Sequence, residues 1–123
     1  METNQPIVQV ETSGTFERQF RNLLKRYRKI RSDVQPMIEQ LQAGEVLGDR
    51  LSGLNIVVFK IRVKNSDIQK GKSAGYRLVY QVETPTRLIL LAIYAKSDQS
   101  SISTTEIGDI VEAFKRQQEQ SEI

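Results

Sequence analysis

The segment Phe59-Lys60-Ile61-Arg62-Val63-Lys64 alternates an apolar residue with a cation three times. In an extended strand successive side chains take opposite faces. Lys60, Arg62 and Lys64 would then share one face, with alternate residues about 7 Å apart. Cations crowded together disfavour one another's charged forms, which lets a lysine exchange a proton nearer neutral pH than usual. A lysine so placed can act as general base or acid. RNA supplies its own nucleophile, the 2′-hydroxyl. Cutting it needs in-line geometry, a base for that hydroxyl, cations for the charge that builds on the phosphate, and an acid for the leaving oxygen. Lysines and arginines on a sheet face can supply all of these without a metal. The same alternation also serves as the solvated face of an antiparallel strand, where charge guards against aggregation.

The residues that are absent narrow the chemistry. The 123-residue chain has no cysteine and no histidine. Disulfides, thiol nucleophiles, thiolate metal sites and serine–histidine catalysis are therefore excluded. Neither a Gly-x-Gly-x-x-Gly nor a Gly-x-x-x-x-Gly-Lys run is present, so no nucleotide cofactor is expected. An enzyme of this composition would work with Lys, Arg, Tyr, Asp, Glu or Ser, with neither a metal nor a small-molecule cofactor.

The net charge is only +3, but the charges are segregated. Residues 17–31 carry Arg18, Arg21, Lys25, Arg26, Arg28, Lys29 and Arg31 against Glu17 alone. Residues 60–77 carry Lys60, Arg62, Lys64, Lys70, Lys72 and Arg77 against Asp67 alone. Such segregation is the footprint of a polyanionic partner. Arg21, Lys25 and Arg28 on a helix, with Lys64, Lys70 and Lys72 around a loop, are candidates for phosphate-backbone contacts. A solvated helix face is the plainer reading of the first group. Tyr27, Tyr76, Tyr80 and Tyr94 read as packing residues, although one at a sheet edge could stack on a base.

The elements that must position these side chains follow from periodicity. Ile7-Val8-Gln9-Val10 reads as a short first strand. Phe16, Phe20, Leu23, Leu24 and Tyr27 recur at helical spacing, with Thr15 as a possible cap. Val34, Met37, Ile38 and Leu41 mark a second helix, capped by Ser32 or Asp33, with Pro36 near its first turn and Gly44 at its end. Residues 45–55 read as a loop. Strands follow over the cationic segment, over Tyr76 to Glu83 and over Arg87 to Lys96. The continuous apolar run of the last fits a central strand covered on both sides. Ser103 or Thr104 caps a final helix with Ile107, Ile110, Val111 and Phe114 on one stripe. The polar tail from Lys115 is expected to fray. The pattern predicts one α+β domain over residues 1–123, with residues 1–5 and 116–123 flexible. It is an antiparallel sheet of one short strand and a three-strand meander, with a helical hairpin and a C-terminal helix packed on one face. No apolar run approaches the roughly 18 residues needed to span a membrane. The polar start does not resemble a signal peptide, so a cytoplasmic location is expected.

Three blocks carry a family resemblance: Phe59-Lys60-Ile61-Arg62; Gly75-Tyr76-Arg77-Leu78-Val79-Tyr80-Gln81-Val82; and Leu90-Leu91-Ala92-Ile93-Tyr94-Ala95-Lys96-Ser97. Together they resemble the RelE toxins of bacterial type II toxin–antitoxin pairs, within the RelE/ParE superfamily, over residues 15–112. The loop Lys70-Gly71-Lys72-Ser73-Ala74-Gly75 and the ending Tyr94-Ala95-Lys96-Ser97-Asp98 look most like the HigB branch. The resemblance implies a RelE-like fold and a ribosome-dependent mRNA endoribonuclease that blocks translation. It implies the ribosome and mRNA as targets and a cognate antitoxin as partner. By position it implies Lys60, Arg62, Arg77 and Lys96 as the catalytic set. The chain departs from RelE at two places, where Ser97 and Ser103 stand for an arginine and a tyrosine. A second reading is therefore a non-catalytic relative that keeps the RNA- and antitoxin-binding surfaces. Gyrase poisoning, as by ParE proteins, is a third, which the cation set disfavours.

Overall fold

A computed structural model describes residues 7–68 and 74–121. In chain order its elements are β1 (Gln9–Thr12), α1 (Gly14–Arg26), α2 (Ile30–Gln42), β2 (Asp49–Arg50), β3 (Val57–Val63), β4 (Tyr76–Thr84), β5 (Arg87–Ala95) and α3 (Thr104–Ser121). The strands form one five-stranded sheet in the order β1-β5-β4-β3-β2. The β3–β4–β5 meander is antiparallel, as expected. However, β1 runs parallel to β5, so the sheet is mixed rather than antiparallel throughout. The chain leaves β1 through α1 and α2 and crosses back, which allows a parallel return.

The helices do not share one face, which corrects the sequence expectation. α1 and α2 cover one side, packing Phe16, Leu23, Ile30, Val34 and Leu41 on Ile61, Leu78, Tyr80, Leu90 and Ile93. α3 covers the other, packing Ile107, Val111 and Phe114 on Val58, Val79, Ile89, Leu91, Ala92 and Tyr94. The unbroken apolar run of β5 is the sequence trace of this two-sided burial.

A bulge decides which β5 residues face which helices. Val79 pairs with Ala92, but Tyr80 pairs with Leu90, so Leu91 is the extra residue. Alternation restarts there, and Tyr94 falls on the same side as Ile89. Side chains of α1 satisfy the backbone at this irregularity. The Ser13 hydroxyl donates to Leu91 O at 2.8 Å, and Ile93 N donates to Gln19 Oε1 at 2.9 Å. Ser13 also accepts from Phe16 N at 2.9 Å, making it, rather than Thr15, the cap of α1.

α2 begins at Ile30, ahead of the expected caps, because Asp33 is engaged elsewhere. Its carboxylate accepts from Ser66 N at 3.0 Å and Ser66 Oγ at 2.8 Å, fastening the segment after β3 to the helix. The earlier start puts Pro36 in the second turn. Gly44 ends α2 at φ 95°, with Gly44 N bonded to Leu41 O and Glu45 N to Gln40 O. That left-handed exit favours glycine.

α3 continues through Ser121, where the sequence suggested fraying from Lys115. A tertiary tie accounts for the difference. Arg87 donates to Gln118 Oε1 at 3.0 Å and to Glu11 Oε2 at 2.6 Å, and it also pairs with Glu83. One guanidinium thus joins β1, the β4–β5 hairpin and the last turns of α3. No helix among the described residues is long and apolar enough to cross a membrane.

Candidate nucleic-acid interface

The sheet register brings three of the expected site residues together. Arg62 on β3 is the direct partner of Arg77 on β4, and Arg77 is in turn the partner of Tyr94 on β5. Lys60 pairs with Val79, one same-face step from the Arg62–Arg77 row. Directly opposed residues point to the same side of a sheet, with Cβ atoms about 4.5–5.5 Å apart. All of these side chains therefore share the α3 side.

Their exposures differ sharply. Arg62 is exposed, Lys60 is half-buried, and Arg77 is only 5 % exposed. Arg77 donates through Nη1 to Tyr76 O at 3.2 Å, which anchors one arm of the guanidinium to its own strand. Tyr94 is 4 % exposed, and its hydroxyl is buried without a hydrogen-bond partner. Burial pushes the Tyr94 hydroxyl above its ordinary pKa; the positive charge of Arg77 opposes that shift, and Glu106 adds to it. Arg77, Tyr94 and the first turn of α3 are thus electrostatic neighbours.

β2 adds an acid that strand alternation alone did not place. Asp49 is the partner of Lys60 across the β2–β3 ladder, so the cation row has a carboxylate opposite one member. Residues 45–55 read as a loop in sequence because a two-residue strand carries no periodicity.

The remaining candidates are dispersed. Lys64 is exposed just beyond the end of β3. Lys96 follows β5, with its ammonium donating to Ser100 O at 3.2 Å and its backbone N to Gly75 O at 2.9 Å. Arg21, Lys25 and Arg28 are exposed on or just after α1, which packs on the opposite side of the sheet from Arg62 and Arg77. They do not converge on the strand cations. Lys70 and Lys72 lie outside the described residues.

No family model, curated protein or solved structure matches the chain.

Of Ser97 and Ser103, one has a defined local task. Ser103 Oγ accepts from Glu106 N at 3.0 Å, and Glu106 Oε1 accepts from Ser103 N at 3.2 Å. This reciprocal capping box starts α3. Ser97 is exposed in the link before it.

Chemically, Arg62 presents an exposed guanidinium suited to phosphate oxygens, with the buried guanidinium of Arg77 on the adjacent strand. Lys60 stands beside them as a compact proton donor or acceptor. The exposed end of this set is at β3 and the buried end at β5, under α3. Tyr94 is the neighbour that sequence reading could not single out from four tyrosines, because the bulge at Leu91 hides its facing.

Proposed function

We propose that this chain is the toxin half of a RelE-like toxin–antitoxin pair and acts as a metal-independent, ribosome-dependent mRNA endoribonuclease. The observation that carries the reading is the cross-strand Arg62–Arg77 pair with Lys60 one step away on the same face. The sequence blocks that resemble RelE toxins contribute these same three residues. In this reading Arg62 and Arg77 hold the scissile phosphate, and Lys60 takes the proton from the 2′-hydroxyl. That oxygen attacks the adjacent phosphorus, the bond to the 5′-oxygen breaks, and a 2′,3′-cyclic phosphate forms. A proton returns to the leaving 5′-oxygen, from Lys60 or by way of water. Lys64 and Lys96 assist through charge at the ends of their strands. A cognate antitoxin masks the surface, and the protein works in the cytoplasm, where ribosomes are.

The burial of Arg77 favours a second reading, a relative that binds RNA or antitoxin without cutting. A guanidinium that is 5 % exposed reaches a phosphate only if α3 or its approach segment shifts. Induction of the chain without its antitoxin separates the two. Cleavage predicts growth arrest with cut transcripts, both lost in Arg62→Ala. Arrest with intact transcripts supports the binding reading, and normal growth with intact transcripts sinks the nuclease.

A further inference from the structure

The sheet ends at β1, which has β5 on one side and, among the described residues, no strand on the other. Its backbone groups alternate in direction. Gln9 N donates to Thr86 O at 2.8 Å and Ser13 N to Leu90 O at 2.9 Å, so residues of this parity face β5. Val10 and Thr12 turn their N–H and C=O groups away from it. Val8 shares their parity, but its N–H is taken by Gln42 O at 3.0 Å, so the free edge begins at Val10. An open edge of this kind is a template for one more strand.

A depression flanks this edge on each face of the sheet. Glu11 pairs with Ile89, which packs beneath α3, and Val10 pairs with Leu88, which packs beneath the helical hairpin. On the α3 side a depression of about 390 Å³ has Glu11, Glu17, Phe114 and Gln117 in its lining. Toward the hairpin a second, of about 540 Å³, has Ile7, Val8, Val10 and Gln42. The two differ in charge. Glu11 and Glu83 share the guanidinium of Arg87, and Glu17 accepts from the neutral Thr12 hydroxyl, so carboxylate exceeds cation around the first. The second has no charged residue in its lining.

We infer that the open edge of β1 is the docking site for an extended segment of a partner protein, added as a further strand with alternating apolar and cationic residues. Directly opposed residues share a face of the sheet. The residue opposite Glu11 therefore enters the acidic depression and is Lys or Arg, whereas the residue opposite Val10 enters the uncharged one and is apolar. Main-chain hydrogen bonds to Val10 and Thr12 supply affinity, and the two depressions supply selectivity. A second copy of β1 fits less well, because Gln9–Thr12 holds an acid and no cation. The carboxylates equally disfavour RNA. β1 lies at the opposite end of the sheet from β3 and β2, so this partner leaves the strand cations uncovered. The inference stands without the nuclease reading.

The test titrates the full chain with fluorescent octapeptides of alternating Val-Lys or alternating Val-Glu, followed by anisotropy, with amide exchange read by NMR. The Val-Lys peptide should bind more tightly than Val-Glu, and the Val10 and Thr12 amides should gain protection only in its complex. Glu17→Lys, at an exposed position, should weaken Val-Lys binding by roughly two- to fivefold, the scale of an exposed ion pair. Val10→Pro removes an outward N–H, a change that an edge strand tolerates, and should abolish binding. Should Val10→Pro fail to fold, Glu17→Lys and the exchange pattern decide. Absence of Val-Lys binding, equal affinity for the two peptides, or binding that protects neither Val10 nor Thr12 overturns the inference. So does protection of both amides in the free chain, whether a second copy or the chain's own first residues supply it.

Discussion

The two faces of the sheet bury apolar residues to similar depth yet differ in what else they carry. On the α1–α2 side Ile61, Leu78, Leu90 and Ile93 pack, the Tyr80 hydroxyl bonds Leu47, and the Tyr76 hydroxyl is buried without a partner. On the α3 side the apolar patch formed with Val58, Val79, Ala92 and Tyr94 gives way to Lys60, Arg62 and Arg77. What sets the second face apart is the row of Lys60, Arg62 and Arg77 beside its packing, with Arg77 buried, and a buried cation in a sheet costs stability and is expected where function is located. Position relative to the sheet separates the strand cations from the more numerous ones of α1.

That contrast can be broken by substitutions of graded effect. Leu41, fully buried beneath the helical hairpin, should be the most costly. Leu41→Ala is expected to lower unfolding free energy by about 2–5 kcal/mol in a urea titration. Tyr80→Phe removes two hydrogen bonds to Leu47 and should cost about 1 kcal/mol by the same measurement. Tyr94→Phe on the other face removes a hydroxyl with no partner, so it should leave stability within about 0.5 kcal/mol of wild type or raise it. Equal losses for the two tyrosines would erase the proposed difference between faces.

Alkaline titration sharpens the same comparison. Burial holds the Tyr76, Tyr80 and Tyr94 hydroxyls above the ordinary tyrosine pKa. The unfolded chain ionises first, near pH 10, so their contribution is complete below that pH and is lost as pH rises beyond it. Tyr94→Phe should therefore shallow the fall in stability above pH 10, followed by circular dichroism. An unchanged slope would mean that Tyr94 ionises alike in both states. The smallest effect is expected for Arg21→Ala, Lys25→Ala and Arg28→Ala together. All three residues are exposed, and each change should alter stability by no more than about 0.5 kcal/mol.

Much of the fold could be read from periodicity. The meander strands, the two hairpin helices and the two-sided burial of β5 follow from the spacing of apolar residues. The sidedness of the helices did not, because an apolar stripe says that a helix is covered but not by which face. The parallel pairing of β1 and the two-residue β2 are tertiary choices without a local pattern. Of the site, Lys60 and Arg62 could be placed on one face by alternation alone. The depth of Arg77 could not, since a strand buried on both sides gives an inward arginine no periodic mark. Asp49 and Tyr94 depended on an unpatterned strand and on a bulge. The α1 cations looked as promising in sequence as the strand cations, and only the packing of α1 on the far side of the sheet separates them.

The central claim is that the strand cations, and not the helix cations, engage RNA for cleavage. Its most direct test is mapping of mRNA ends on programmed ribosomes with three proteins: wild type, Lys60→Ala/Arg62→Ala, and Arg21→Ala/Lys25→Ala/Arg28→Ala. The account predicts defined cuts by wild type, their loss in the strand double variant, and cutting at the same sites by the helix triple variant. Intact mRNA with wild type, or cutting that survives in the double and vanishes in the triple, would contradict it.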